Sequence, residues 1–141
     1  MQVEQDRPIR VVIMGCGRIG SLAAAKLANL GHDVTIIDWN DAAFDRLPPS
    51  FRGKTVIGNA LDIDILRDAG IKSADAFVAA TSGDNRNIMA SQIARQIFKV
   101  PRVVARIKDP IRAEIYSAIG IQVDCRTTEN TRLIMDAIEA S

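Results

Sequence analysis

The sequence is short of the residues that most often carry catalysis or cross-links: one histidine, one tyrosine, one tryptophan and two cysteines among 141 residues. Cys16 and Cys125 lie far apart, and cysteine this sparse argues against a disulfide framework and fits a reducing compartment. With a single histidine, the chain also falls short of a tetrahedral zinc set. No apolar run approaches the ~20 residues needed to span a bilayer, and the polar start from Met1 to Asp6 does not read as a signal peptide. The expected location is the cytosol. A formal net charge of only +1 argues against a general nucleic-acid binder. That near-neutrality is uneven, because Asp84 to Arg112 holds seven basic residues (Arg86, Arg95, Lys99, Arg102, Arg106, Lys108, Arg112) against two acids. A solvated helix face with one or two phosphate-attracting residues explains this better than a DNA-reading surface.

What the sequence does have is concentrated between Ile9 and Asp38. An apolar run, Val11 to Met14, leads into Gly15-Cys16-Gly17-Arg18-Ile19-Gly20; an amphipathic segment follows, and a second apolar run, Val34 to Ile37, ends on Asp38. The pattern is strand, glycine turn, helix, strand, acid, the opening of a dinucleotide-binding α/β domain. Gly15 permits the tight turn, Gly17 lets the backbone approach a pyrophosphate, and Gly20 allows close helix packing. Amides of Arg18 and Ile19 open the helix, where unpaired N–H groups favour an anion, and the Arg18 side chain can add a charge-assisted contact. Ile19, Leu22, Ala23, Leu27 and Leu30 fall on one face before Gly31. Asp38 is placed to accept the hydroxyls of an adenosine ribose and to repel a 2′-phosphate. Trp39 and Asn40 bring no positive charge, so NAD or an adenine nucleotide is expected over NADP.

Further along, Asp41 to Leu47 predicts a short helix ended by Pro48-Pro49, with Phe44 as its core anchor, and Lys54 to Ile57 a third strand. Gly58-Asn59-Ala60-Leu61-Asp62 turns into a helix from Ile63 to Ala69, capped by Asp62. Asn59 or the backbone of Ala60 either reads the adenine edge or merely shapes the turn. Ala74 to Ala80 predicts the fourth strand, and Asn85 to Phe98 a long helix whose core stripe is Met89, Ala90, Ile93, Ala94, Ile97 and Phe98. Thr81 and Ser82 stand at a strand carboxyl end near the switch point, where open α/β sheets bind ligands. Arg102 to Ile107, a helix from Asp109-Pro110 to Ala118, Ile121 to Cys125 and a last helix from Thr128 to Glu139 complete the pattern. Its apolar face is Leu133, Ile134, Ala137 and Ile138, with Met135 to the side.

Six strands alternating with helices predict a single-domain, Rossmann-type doubly wound parallel sheet in the order 3-2-1-4-5-6. Residues 1–8 form an N-terminal tail and 9–141 the nucleotide-binding domain. Catalysis is not expected. His32 falls in the turn entering the second strand, at the sheet edge opposite the glycine loop. Tyr116 has Gly120, not lysine, four positions on, so the Tyr-x-x-x-Lys pair of short-chain dehydrogenases is missing. Cys125 is reactive only if exposed, and no substrate domain is expected within these 141 residues.

Val12 to Gly20, Asp38, Gly58-Asn59-Ala60 with Asp62, Val78 to Thr81, Asp84-Asn85 with Asn87, and Ala105 to Pro110 together resemble the N-terminal domain of TrkA-type proteins, the RCK or KTN domains that regulate potassium conductance. The resemblance covers about Ile9 to Ile138. It implies a non-catalytic cytoplasmic subunit at the inner face of the membrane that binds NAD(H), ATP, ADP or AMP, forms a homodimer and a higher ring, and gates a membrane potassium transporter. By position, Gly15, Gly17, Arg18 and Gly20 would hold phosphates, Asp38 the ribose, and Asn59 and Ala60 the adenine. Thr81, Ser82 and Arg106 would face the distal half of the ligand, and Glu129 a terminal phosphate or cation. Ile19 and Trp39 complete the candidate site, and Met135, Ile111 and Ile115 are candidates for the dimer surface. Two features depart from the family: aspartate usually stands where Asn59 does, and a smaller C-terminal ligand-binding domain usually follows. A detached cofactor lobe of an NAD-dependent oxidoreductase, or a module reading the NADH/NAD ratio, are the competing functions.

Overall fold

In the computed structural model, residues 7–140 are described; Met1–Asp6, most of the expected tail, and Ser141 lie outside them. The strands are β1 (Arg10–Met14), β2 (Asp33–Asp38), β3 (Lys54–Ile57), β4 (Ala76–Ala79), β5 (Arg102–Arg106) and β6 (Gln122–Asp124). They form one sheet in the order β3-β2-β1-β4-β5-β6, every pair parallel. This is the doubly wound Rossmann-type order that the alternation predicts. Helices α1 (Arg18–Asn29), α2 (Ile63–Asp68), α3 (Asp84–Gln92), α4 (Pro110–Ala118) and α5 (Arg126–Glu139) connect and follow the strands, with short 3-10 turns at Asp41–Arg46 and Ile71–Ser73.

Strand side chains alternate between the two faces, so β1 supplies both cores at once. Val12 and Met14 join Ile37, Phe77, Ala79, Val103 and Ala105 under α2, α3 and α4. Val11 and Ile13 join Val34 and Ile36 under α1 and the Asp41–Arg46 turn, where Ala43 is buried and Phe44 packs as its anchor. A strand covered on both faces reads as a continuous apolar run, which is why Val11 to Met14 is unbroken. At the opposite edge of the sheet, His32 accepts a hydrogen bond on Nδ1 from the Ile9 amide at 3.0 Å, a structural use of the only imidazole.

Two helices differ from expectation. Helix α3 passes at Gln92 into a π-turn, Ile93–Ile97, whose wider closure is seen in the Phe98 amide donating to the Ile93 carbonyl at 3.2 Å. The buried face of this segment is Asn87, Ile88, Ala90, Ser91 and Ala94, while Met89 and Ile97 are 54% and 56% exposed. The expected stripe holds at Ala90, Ile93, Ala94 and Phe98 and fails at Met89 and Ile97, and apolar spacing could not reveal that two polar residues, Asn87 and Ser91, hold core positions. Helix α5 buries no residue at all. Its apolar face forms as the periodicity requires, but Leu133, Ile134, Met135 and Ile138 are left exposed among the described residues.

Candidate functional site

The carboxyl ends of β1, β2, β3 and β4 enclose a cleft of about 580 Å³, well within the range of small-molecule sites. Its floor is the glycine turn. Gly15 adopts φ +102°, and a Cβ there would stand 3.0 Å from the backbone of Ala80 and Thr81, so only glycine lets β1 turn against the end of β4. A Cβ on Gly20 would lie 1.8 Å from the Gly15 carbonyl oxygen. The close approach it permits is therefore to the turn itself, which seats the start of α1 on the loop. Gly17 is different: a Cβ there would meet nothing within 4 Å. The space beside it opens to the cleft, as a backbone kept bare for a ligand requires.

Helix α1 begins at Arg18 with no side-chain cap and no acid in its first turn. Its first amides therefore present partial positive charge to the cleft. Opposite them, Asp38 is held by two backbone donors, Cys16 N–H to Oδ2 at 2.8 Å and Asn40 N–H to Oδ1 at 2.9 Å. Each carboxylate oxygen retains lone-pair capacity for a further donor. Cys16 keeps its side chain fully buried. Burial first, and then the Asp38 charge, push its thiol pKa up, with Arg46 opposing.

Asn59 and Ala60 line the cleft at the end of β3. Asn59 Oδ1 accepts from the Leu61 amide at 3.0 Å, so the residue does shape its turn, and its NH2 group has no protein partner among the described residues. Thr81, Ser82 and Arg106 line the other end, together with Ile19 and Trp39 nearer the turn. The Thr81 hydroxyl is already engaged, donating to Asn87 Oδ1 at 2.7 Å. Asn87, fully buried, donates from Nδ2 to the carbonyls of Thr81 and Arg106 at 3.0 and 2.7 Å, locking the ends of β4 and β5 together.

Of the predicted site residues, two do not line this cleft: Gly20 is buried against the Gly15 carbonyl, so it shapes the turn without reaching a phosphate, and Glu129 stands apart. It lies in the first turn of α5 and borders a second, more open cleft beside α4, where Arg132 pairs with it and lowers its pKa. Sequence reasoning missed two arginines that line the main cleft. Arg46, from the turn after β2, donates to the Cys16 carbonyl at 3.4 Å. Arg86, from the first turn of α3, lies over Trp39. The lack of cations at Trp39 and Asn40 is therefore not a lack of cations beside Asp38. Arg86 belongs to the basic run noted in the sequence; nothing local marked Arg46. With Arg18 and Arg106, four guanidinium groups face one carboxylate, so the cleft suits an anion that also offers hydroxyl donors.

Comparisons with known proteins identify the family and the fold. The chain is 51% identical over 113 residues to the Trk system potassium uptake protein TrkA of Streptomyces coelicolor, a match covering 80% of this chain and 51% of that protein. The chain spans about half the length of the curated relatives it matches. Among solved structures, the TrkA-N domain of the inner membrane protein ybaL from Escherichia coli shares the fold, with a TM-score of 0.80 at 21% identity, covering 95% of this chain and 99% of that one. The Kef C-terminal domain of Shewanella denitrificans in its AMP-bound form is 25% identical at a TM-score of 0.73, covering 92% and 78%. GsuK bound to ADP is 26% identical at 0.75, covering 93% and 34%. The TrkA-N domain profile matches residues 11–125, which include the glycine turn, Asp38 and the ends of β3, β4 and β5. The chain belongs to the TrkA-N domain family.

Proposed function

We propose that this chain is the nucleotide-sensing regulatory domain of a potassium uptake system, taking an adenine nucleotide or NAD(H) into the cleft and passing its occupancy to a membrane transporter. One observation carries the reading: an uncapped helix start and a ribose-competent carboxylate face each other across an arginine-lined cleft beside Gly17. The first amides of α1 and Arg18 hold phosphates, Asp38 accepts from the ribose hydroxyls, and Asn59 and Ala60 border the base. Arg106, Thr81 and Ser82 border the distal part. The AMP-bound and ADP-bound relatives support this ligand class. The functional unit runs over residues 9–141 and performs no catalysis of its own. Glu129 joins the site only across a subunit boundary, since its own chain keeps it in the second cleft.

Ile111 and Ile115 of α4 and Leu133, Ile134, Met135 and Ile138 of α5 are all exposed large apolar side chains. These side chains form the homodimer surface, and a separate head-to-tail contact between dimers closes a ring at the cytoplasmic face of the membrane. Regulation is a population shift. The cleft halves move with the dimer geometry, and only a difference in affinity between two geometries transmits a signal. The test is a thermal-shift panel of ATP, ADP, AMP, NAD and NADH, with and without magnesium. A ligand at a hundred times its Kd stabilises by about 2.7 kcal/mol. A panel in which no compound raises the melting temperature overturns the reading.

A further inference from the structure

Arg86 and Trp39 come from opposite halves of the sheet and meet across the cleft. Trp39 follows β2, Arg86 follows β4, and β1 with its glycine turn lies between them in the sheet order. The Arg86 guanidinium carbon stands 5.8 Å from the indole centroid, and both residues line the cleft. The Arg86 side chain therefore crosses the edge of the sheet at which the first amides of α1 are presented. Trp39 is 68% exposed, and a cation resting on an exposed indole is held weakly. Among the described residues, no carboxylate lies within ion-pair distance of Arg86. Arg46 and Arg106 by contrast donate to the backbone carbonyls of Cys16 and Thr81. Arg86 is thus a guanidinium with an indole as its partner, lining the same cleft as a phosphate-competent helix start. A phosphate offers it two charge-assisted hydrogen bonds, a far stronger contact.

We infer that Arg86 is a phosphate-binding residue of this cleft, and that it exchanges Trp39 for the phosphates of the nucleotide so that the pair works as a strap between the two sheet halves. The inference rests on the nucleotide reading proposed above. It adds a recognition residue and makes the state of the strap a consequence of the ligand's phosphates.

Trp39 is the only tryptophan, so its emission reports the strap directly. ADP is titrated into the 141-residue chain and into Arg86→Ala and Arg86→Gln, with calorimetry giving the Kd and Trp39 fluorescence read in parallel. Loss of one charge-assisted phosphate contact predicts an ADP Kd raised about tenfold in both variants. It also predicts an ADP-dependent emission change in the parent that is lost in both. Arg86→Gln keeps most of the aliphatic arm, so it decides the matter if Arg86→Ala proves less stable by melting. Unchanged ADP affinity in the variants overturns the inference. So does ADP binding to the parent without any change in Trp39 emission. If the parent shows no heat of binding with ADP or any other nucleotide of the panel, the nucleotide reading itself has failed, an outcome distinct from failure of the strap alone.

Discussion

The Asp38 carboxylate accepts a hydrogen bond from the Cys16 amide at 2.8 Å, so the end of β2 and the glycine turn after β1 are one unit. Asp38→Ala strands the Cys16 and Asn40 amides. The expected cost is about 1–2 kcal/mol of stability, at the low end for orphaned donors because the site is part-exposed. The thermal response to nucleotides is also lost. If the variant responds to every nucleotide as the parent does, Asp38 is not the ribose acceptor.

Gly17 and Gly20 separate binding from folding. Gly20→Ala forces a methyl into the Gly15 carbonyl, and overpacking of this kind costs about 1–3 kcal/mol or more. Gly17→Ala adds its methyl to open space and should leave stability within about 0.5 kcal/mol. Its effect should fall on nucleotide affinity, weakened at least tenfold. Chemical denaturation paired with calorimetry on both variants reads the contrast; equal affinity in Gly17→Ala and the parent would contradict it.

The Cys16 thiol has its pKa raised by burial and by Asp38. A native pKa above the unfolded one means that the unfolded state loses its proton first. Stability from this group is therefore complete below the ordinary thiol range, and declines as pH rises from there toward the native pKa. Cys16→Ser should flatten that alkaline decline in a urea-denaturation series. Alkylation at neutral pH should label Cys125, which is partly exposed, and spare Cys16 until the chain unfolds.

The exposed apolar side chains of α4 and α5 predict a dimer in light scattering at tens of micromolar. Ile115→Glu and Met135→Glu, at positions 55% and 48% exposed, should give monomers with unchanged melting of the subunit fold. A parent that stays monomeric with and without nucleotide removes the dimer.

Most of the sheet was legible in the sequence because its signals are local. A continuous apolar run marks β1, a run interrupted only by Thr35 marks β2, and Lys54–Ile57 falls at the expected bounds of β3. Asp62 and Asp109 cap their helices through the Asp64 and Ile111 amides. The first half of the cleft follows from the glycine spacing. What escaped is tertiary in origin. The core role of Asn87 depends on carbonyls supplied by β4 and β5, and the π-turn at Ile93–Ile97 shifts which residues of that helix face inward. Arg46 and Arg86 reach the cleft only because the chain has already folded around it. The solvent-facing α5 is the reverse case, a helix correctly read from its own periodicity whose packing partner no local pattern can name.

Asp84 accepts hydrogen bonds from the amides of Lys108 and Asp109, at 2.8 and 3.0 Å, and Asp109 in turn caps α4. The base of the helix that carries Arg86 is thereby pinned to the base of the helix that carries Ile111 and Ile115. A tilt at one root has to be shared by the other, so this single acidic side chain is a ready-made hinge pin between where small molecules are read and where a neighbouring subunit would feel it.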